Sequence, residues 1–172
     1  MAFNKKECTK RFGETAFRRF KKVLEKEWMP EIVGYRFSSA WAEQLFKYLQ
    51  THSIHVCFTN CDFFETTVNA DSLGRSQFYD CNLDRAIFSI VSVPKNSIII
   101  SFNQCDMRHF RLYDPRNSCY AFDECDMSDA SITTLLGGST HFTDIHGTFR
   151  INENLLQTGF QYVTTIPGNP WN

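Results

Sequence analysis

Phe58-Thr59-Asn60-Cys61-Asp62-Phe63 returns as Phe78-Tyr79-Asp80-Cys81-Asn82-Leu83, as Phe102-Asn103-Gln104-Cys105-Asp106-Met107 and as Phe122-Asp123-Glu124-Cys125-Asp126-Met127. A worn copy follows, Phe142-Thr143-Asp144-Ile145-His146-Gly147, and the starts lie 20, 24, 20 and 20 residues apart. A finer period of five runs inside each block, through Phe58, Phe63, Val68, Leu73 and Phe78 and again through Phe122, Met127, Ile132, Gly137 and Phe142. Five residues make no stripe on a helix at about 100° per residue, and on a flat strand at about 180° an odd step flips each apolar residue to the opposite face. The backbone therefore turns between units. Four short sides close a coil of 20 residues, and equivalent positions stack in the next coil at the spacing of neighbouring strands, about 4.8 Å. The expected fold is mainly β, a four-sided parallel β-helix or β-solenoid of about five coils with an N-terminal α-helical cap.

The units Cys61-Asp62-Phe63-Phe64-Glu65, Cys81-Asn82-Leu83-Asp84-Arg85, Cys105-Asp106-Met107-Arg108-His109 and Cys125-Asp126-Met127-Ser128-Asp129 each read small residue, Asp or Asn, large apolar residue, then two mostly polar residues. Ala86-Ile87-Phe88 and Ala130-Ser131-Ile132 keep part of the pattern. Over roughly residues 56–149 the chain resembles the pentapeptide-repeat proteins. What the resemblance implies is a right-handed, four-sided β-helix and, as in many relatives, a homodimer through a terminal coil; separately, no cofactor is expected.

The composition divides the chain electrically. Residues 1–55 hold 11 Lys and Arg against 6 Asp and Glu, whereas residues 56–150 hold 7 against 12. A charged N-terminus without a leader pattern, and no apolar run of membrane-spanning length, lead to the expectation of a cytoplasmic protein. Four of the seven cysteines occupy the inward small-residue position, so the expected state is reduced thiol acting as a compact hydrophobe.

Three segments follow in order: a cap over 1–55, the repeats over 56–150, and a closing tail over 151–172. Asn4 and Glu7 have the spacing of a capping box. From Glu14 to Trp28 the apolar positions Phe17, Phe20, Leu24 and Trp28 predict a helix that Met29-Pro30 ends. Ser38 or Ser39 caps a second, roughly Ala40 to Leu49, with Trp41, Leu45, Phe46 and Leu49 on its stripe. Such a cap covers the open end of a solenoid, and its basic face is either solvated surface or a site for nucleic acid or an acidic partner. The fourth side of the coils departs from the rule near Pro94, Lys95 and Asn96, at Pro115-Arg116-Asn117 and at Leu135 to Gly138. Those departures mark either a recognition face or a side that tolerates insertions. The residues Gln161 to Ile166 are rich in β-formers and are expected to close the last coil.

For catalysis the chain shows no phosphate-binding glycine loop, no paired-Cys zinc spacing and no nucleophile elbow. His141, Asp144 and His146, or Cys105 with His109, fall short of a closed set of four metal ligands. No catalytic residue and no metal site is therefore assigned. The residues flanking each inward Cys are expected to point outward, stacking Asn60 and Asp62, Asp80 and Asn82, Gln104 and Asp106, Glu124 and Asp126, and Asp144 with His146. One reading is local, since Asp and Asn side chains bind backbone at turns. The other makes Asp62, Asp80, Asp106, Glu124, Asp126 and Asp144 a binding ladder. Resemblance to gyrase-protecting family members implies DNA mimicry, with carboxylates replacing phosphates in the groove of a topoisomerase, nuclease or CRISPR-type complex. Either way the expected partner is a protein, with no direct nucleic acid or membrane contact. The alternative is a scaffold or translocated effector that binds through the cap and the fourth side, at Pro94, Lys95, Asn96 and Arg116.

Overall fold

The computed structural model describes residues 3–24, 26–70, 73, 75–90, 99–114, 119–134, 140–152 and 161–163. The N-terminal part runs β1 (Lys10–Arg11), α1 (Glu14–Leu24), β2 (Glu31–Val33), β3 (Tyr35–Arg36) and α2 (Ser39–Thr51). Strands of two kinds then alternate: β4 (His55–Thr59), β5 (Thr67–Ala70), β6 (Arg75–Tyr79), β7 (Ile87–Ile90), β8 (Ile99–Asn103), β9 (Arg111–Asp114), β10 (Cys119–Asp123), β11 (Ser131–Thr134) and β12 (Thr140–Thr143). The last two are β13 (Phe149–Asn152) and β14 (Gln161–Val163).

Alternation along the chain becomes two sheets in space. One has the order β12-β10-β8-β6-β4-β2 and the other β14-β13-β11-β9-β7-β5. Within the first, Phe58, Phe78, Phe102, Phe122 and Phe142 pair in parallel register, and within the second so do Val68, Phe88, Leu112, Ile132 and Ile151. Between the two sheets along the chain, a row of single bridges links successive turns, Arg36–Asp62–Asn82–Asp106–Asp126–His146. The molecule is a parallel β-solenoid. Its five marked Phe positions bound four full turns rather than five coils, because a motif at each end of the stack counts one crossing more than the turns between.

The corners are made the same way in every turn. Asn60, Asp80, Gln104, Glu124 and Asp144 have φ between 49° and 54°, and Glu65, Arg85, His109 and Asp129 between 54° and 59°. Left-handed backbone is costly for residues with a Cβ. It is held here by ladder bonds on both sides of each corner, such as Arg85 N–H donating to the Arg108 carbonyl at 2.9 Å and Asp80 N–H to that of Asn103 at 3.0 Å. The last turn is one residue short on this side: Asp126 pairs with His146, 20 residues on, but Ser131 pairs with Arg150, 19 on. Gly147 takes up the difference at φ 90°, where a Cβ would stand 2.3 Å from the Ser128 hydroxyl oxygen.

The interior is a set of columns. The rings of Phe58, Phe78, Phe102, Phe122 and Phe142 stack with centroids 4.9, 4.8, 5.1 and 5.2 Å apart and planes within 15°. A second column, Phe12, Phe37, Phe63, Leu83, Met107 and Met127, is buried throughout. The thiols of Cys61, Cys81, Cys105 and Cys125 form a third. Each donates to the carbonyl of the inward residue one turn back, Ile32, Phe58, Phe78 and Phe102, at 3.2 to 3.6 Å. All seven cysteines are free.

The stack begins before the repeat does. β2 pairs with β4, Gly34 makes a left-handed corner at φ 71° where later turns have Asn60 or Asp80, and β1 pairs with β3 one step further along the axis. Phe12 and Phe37 stack at 4.5 Å, as do Phe37 and Phe63. The repeat spacing cannot show this, because α1 and α2 are inserted between the sides. α2 places Leu45, Phe46 and Leu49 in the core, as its stripe predicts, and Phe46 packs on Phe58, Phe78 and Phe88. α1 stops at Leu24, earlier than expected, and Trp28 lies outside it at 84% exposure. Pro30 forces Met29 away from helical backbone, so the chain needs the residues before it to turn towards β2. Asn4 and Glu7 make a side-chain bond of 2.8 Å, but in a turn rather than a helix start. At the far end β14 runs antiparallel to β13 and so ends the parallel stack of that sheet.

A ring removed from the middle of the column leaves a cavity that neighbours on a fixed rise cannot close. Phe102→Ala is expected to cost about 3–5 kcal/mol in urea denaturation, whereas Tyr79→Ala on the outer face is expected to cost under about 1 kcal/mol. Equal costs for the two would contradict the column as the source of stability.

Candidate functional site

Every turn delivers two polar residues to the same edge, one at the first left-handed corner and one in the bridge row. The six ladder carboxylates therefore fall into two parallel rows. Asp80, Glu124 and Asp144 stand at corners with Asn60 and Gln104, and Asp62, Asp106 and Asp126 stand in the bridge row with Arg36, Asn82 and His146. The bridge row is largely occupied by its own structure. Asp62, Asn82, Asp106 and Asp126 each accept the backbone N–H two residues on, at 3.1, 3.1, 3.4 and 3.1 Å, which is the Asx turn of the local reading. Asp62 also accepts from the Asn82 amide at 2.9 Å and faces Arg36 at 3.7 Å. Asp106 is held by a two-pronged Arg108 guanidinium at 2.8 and 2.7 Å, and Asp126 takes the Ser128 hydroxyl at 2.7 Å. This fork raises the already high pKa of Arg108 further, so its charge is permanent.

The corner row differs. Asn60 is an exception to the outward expectation: it is buried, accepting from the Asn4 N–H at 2.7 Å and donating to the Asn4 carbonyl at 3.1 Å, which pins the N-terminal segment to the first turn. Beyond it, Glu124 accepts from the Gln104 amide. Neither Glu124 nor Asp144 has a Lys or Arg ion pair among the described residues. Beside them stands Asp123, at a position filled by Thr59, Tyr79, Asn103 and Thr143 in the other turns. Partial burial, then the charges of Glu124 and Asp144, push the Asp123 carboxyl up from its ordinary value. Three carboxylates thus crowd one corner of the last turns. Sequence reasoning missed Asp123 because nothing in the repeat distinguishes it from Thr or Asn at that place.

Charge density bounds what this edge imitates. Seven carboxylates, with Arg36 and Arg108 among them, spread over about 20 Å of ring stack leave about one net charge per 4 Å, against about one per 1.7 Å of duplex DNA.

The second corner carries a mixed row. Arg85 meets Glu65 at 3.3 Å, and His109 lies between Asp84 at 3.0 Å and Asp129 at 3.8 Å. His109 thus points outward while Cys105 points into the core, and the pair forms no joint site. Burial and bonds to neighbouring thiols raise Cys81, and the bond to Cys105 and then burial raise Cys125, so these thiols are protonated packing groups. Among the described residues no group of three or more His, Cys, Asp or Glu is placed to hold a metal ion. The fourth-side residues Pro94, Lys95, Asn96 and Arg116 lie outside the described residues. No described helix is long and apolar enough to cross a membrane. No protein-family model, curated protein or solved structure matches this chain.

Because Asp123 is harder to ionise in the fold than in the unfolded chain, its charge lowers stability once the pH rises through the ordinary carboxylate range. Asp123→Asn is expected to raise Tm at pH 7, with the gain disappearing as the pH falls below that range. A gain that persists in acid would contradict the crowding.

Proposed function

We propose that this chain is a pentapeptide-repeat protein with a right-handed β-helix. It is not an enzyme, and it acts by binding a DNA-handling protein through its acidic edge. The observation that carries the reading is the acidic corner of the last turns, Glu124 and Asp144 one turn apart with Asp123 beside them, to which Asp80, its Oδ1 buried, adds charge two turns before Glu124. Asp62, Asp106 and Asp126 hold the edge in shape and contribute charge at a distance, since their oxygens serve Asx turns and arginines.

A groove built for a phosphate backbone recognises charge and spacing more than chemical identity. Carboxylates on a rigid stack, Glu124 and Asp144 one strand spacing apart and Asp80 two before Glu124, meet that requirement without ordering on binding. The lower charge density restricts the fit to a few Lys or Arg contacts, which suits a nuclease, topoisomerase or defence complex held at one part of its groove. The seven free cysteines, four of them stacked in the core, favour a reducing, cytoplasmic setting. The alternative, a scaffold or translocated effector, draws support from the exposed Trp28, Met29 and Val33 on the cap.

The decisive variants keep the backbone and remove the charge. Asn tolerates the left-handed corner as Asp does, so Asp80→Asn, Glu124→Gln and Asp144→Asn together leave the fold intact. Capture of the partner from a bacterial lysate by the triple variant is expected to fall at least about tenfold, the loss of about 1.4 kcal/mol. Asp106→Asn with Asp126→Asn is expected to retain most of it. The opposite ranking would overturn the assignment to the corner row.

A further inference from the structure

The two sides of the first turn end at different heights. On the bridge side β1 lies one step beyond β3, but on the adjoining side nothing among the described residues pairs with β2 beyond its contact with β4. In a parallel ladder one residue's N–H and C=O face one neighbour and the next residue's face the other. The Cys57 N–H to Pro30 carbonyl bond at 3.0 Å and the Gly34 N–H to Thr59 carbonyl bond at 3.1 Å fix that alternation. The N–H and C=O groups of Glu31 and Val33 therefore face away from the sheet. They face a groove of about 230 Å³, where the next strand of the stack would lie.

The groove suits a polypeptide of one kind. Phe20 and Val23 of α1 and Ile32 below give it an apolar lining, and Val33 is 45% exposed at its edge. Lys10 and Arg19 line it as cations, while the one carboxylate present, Glu31, is turned to the Thr59 hydroxyl at 2.5 Å. The surrounding segment 1–55 carries the chain's positive excess. A second copy pairing β2 with β2 would bring two such basic caps together, so charge disfavours it.

We infer that the groove between α1 and the open edge of β2 docks an extended acidic segment of a partner protein, which adds as a further strand where the stack is one strand short. Main-chain bonds to Glu31 and Val33 supply affinity, alternate apolar side chains enter beside Phe20 and Val23, and Lys10 and Arg19 select for acidic residues. This site is at the opposite end of the rod from the Asp123 corner, and its occupancy is independent of the acidic edge.

The test is selection of random decapeptides displayed on phage against the full chain, followed by hydrogen exchange with a synthesised winner. Winners are expected to alternate acidic with apolar residues and to slow exchange at the amides of Glu31 and Val33. Val33→Pro removes one outward donor and no ladder bond, and is expected to weaken binding about tenfold or more. Lys10→Glu with Arg19→Glu, both at exposed positions, serves the same end without touching the backbone and is expected to abolish binding of acidic winners. Failure to enrich any peptide, winners of net positive charge, or equal binding by these variants would overturn the inference. So would amides of Glu31 and Val33 already protected in a peptide-free dimer, which would make a second copy the occupant.

Discussion

Stacked aromatic rings and paired strands favour nearly the same distance, and the solenoid depends on that coincidence. Offset rings sit comfortably with centroids about 4.5–7 Å apart, and strands hydrogen-bond at about 4.7–4.9 Å. With the Phe column stepping at 4.8 to 5.2 Å, ring contact and backbone ladder are satisfied by one geometry. A slip of one unit would set Phe against another column and break both at once. The register is therefore rigid, and whatever the sequence places outside is displayed at a fixed interval.

That rigidity explains why the coils were legible and their margins were not. Phe58, Phe63 and Val68 announce three sides of a coil by spacing alone, and the pairing of Phe58 with Phe78 and of Val68 with Phe88 follows. Ile32, Gly34 and Phe37 perform the same tasks in the turn before, but α2 intervenes where a strand would complete it, so no period survives. Trp28 illustrates a different limit. Its spacing from Leu24 fits a helical face, but the helix ends a turn earlier and leaves the ring in solvent.

The ladder was legible as a set of positions and not as a set of roles. Flanking residues of the inward Cys do line one edge, yet a two-residue difference in the motif separates a corner from a bridge. Asp62, Asp106 and Asp126 close Asx turns, Asn60 holds the N-terminal segment, and Asp80, Glu124 and Asp144 occupy left-handed corners. Side-chain partners made across the stack decide the roles: Arg36 on Asp62 comes from the turn before the repeats begin. Asp123 gains its character from partial burial, then from Glu124 beside it and Asp144 one turn on.

The chain emerges as a rod with two unlike ends, a basic cap with an open strand position and an acidic corner on the last turns. Its proposed mode of action turns on whether the acidic edge occupies a site that DNA also uses. The most direct measurement is displacement of the captured partner by duplex DNA at fixed ionic strength. Release of the partner as duplex is added, with no release by an uncharged polymer, is the predicted result. A partner that stays bound under saturating duplex would contradict DNA mimicry and leave the rod as a scaffold.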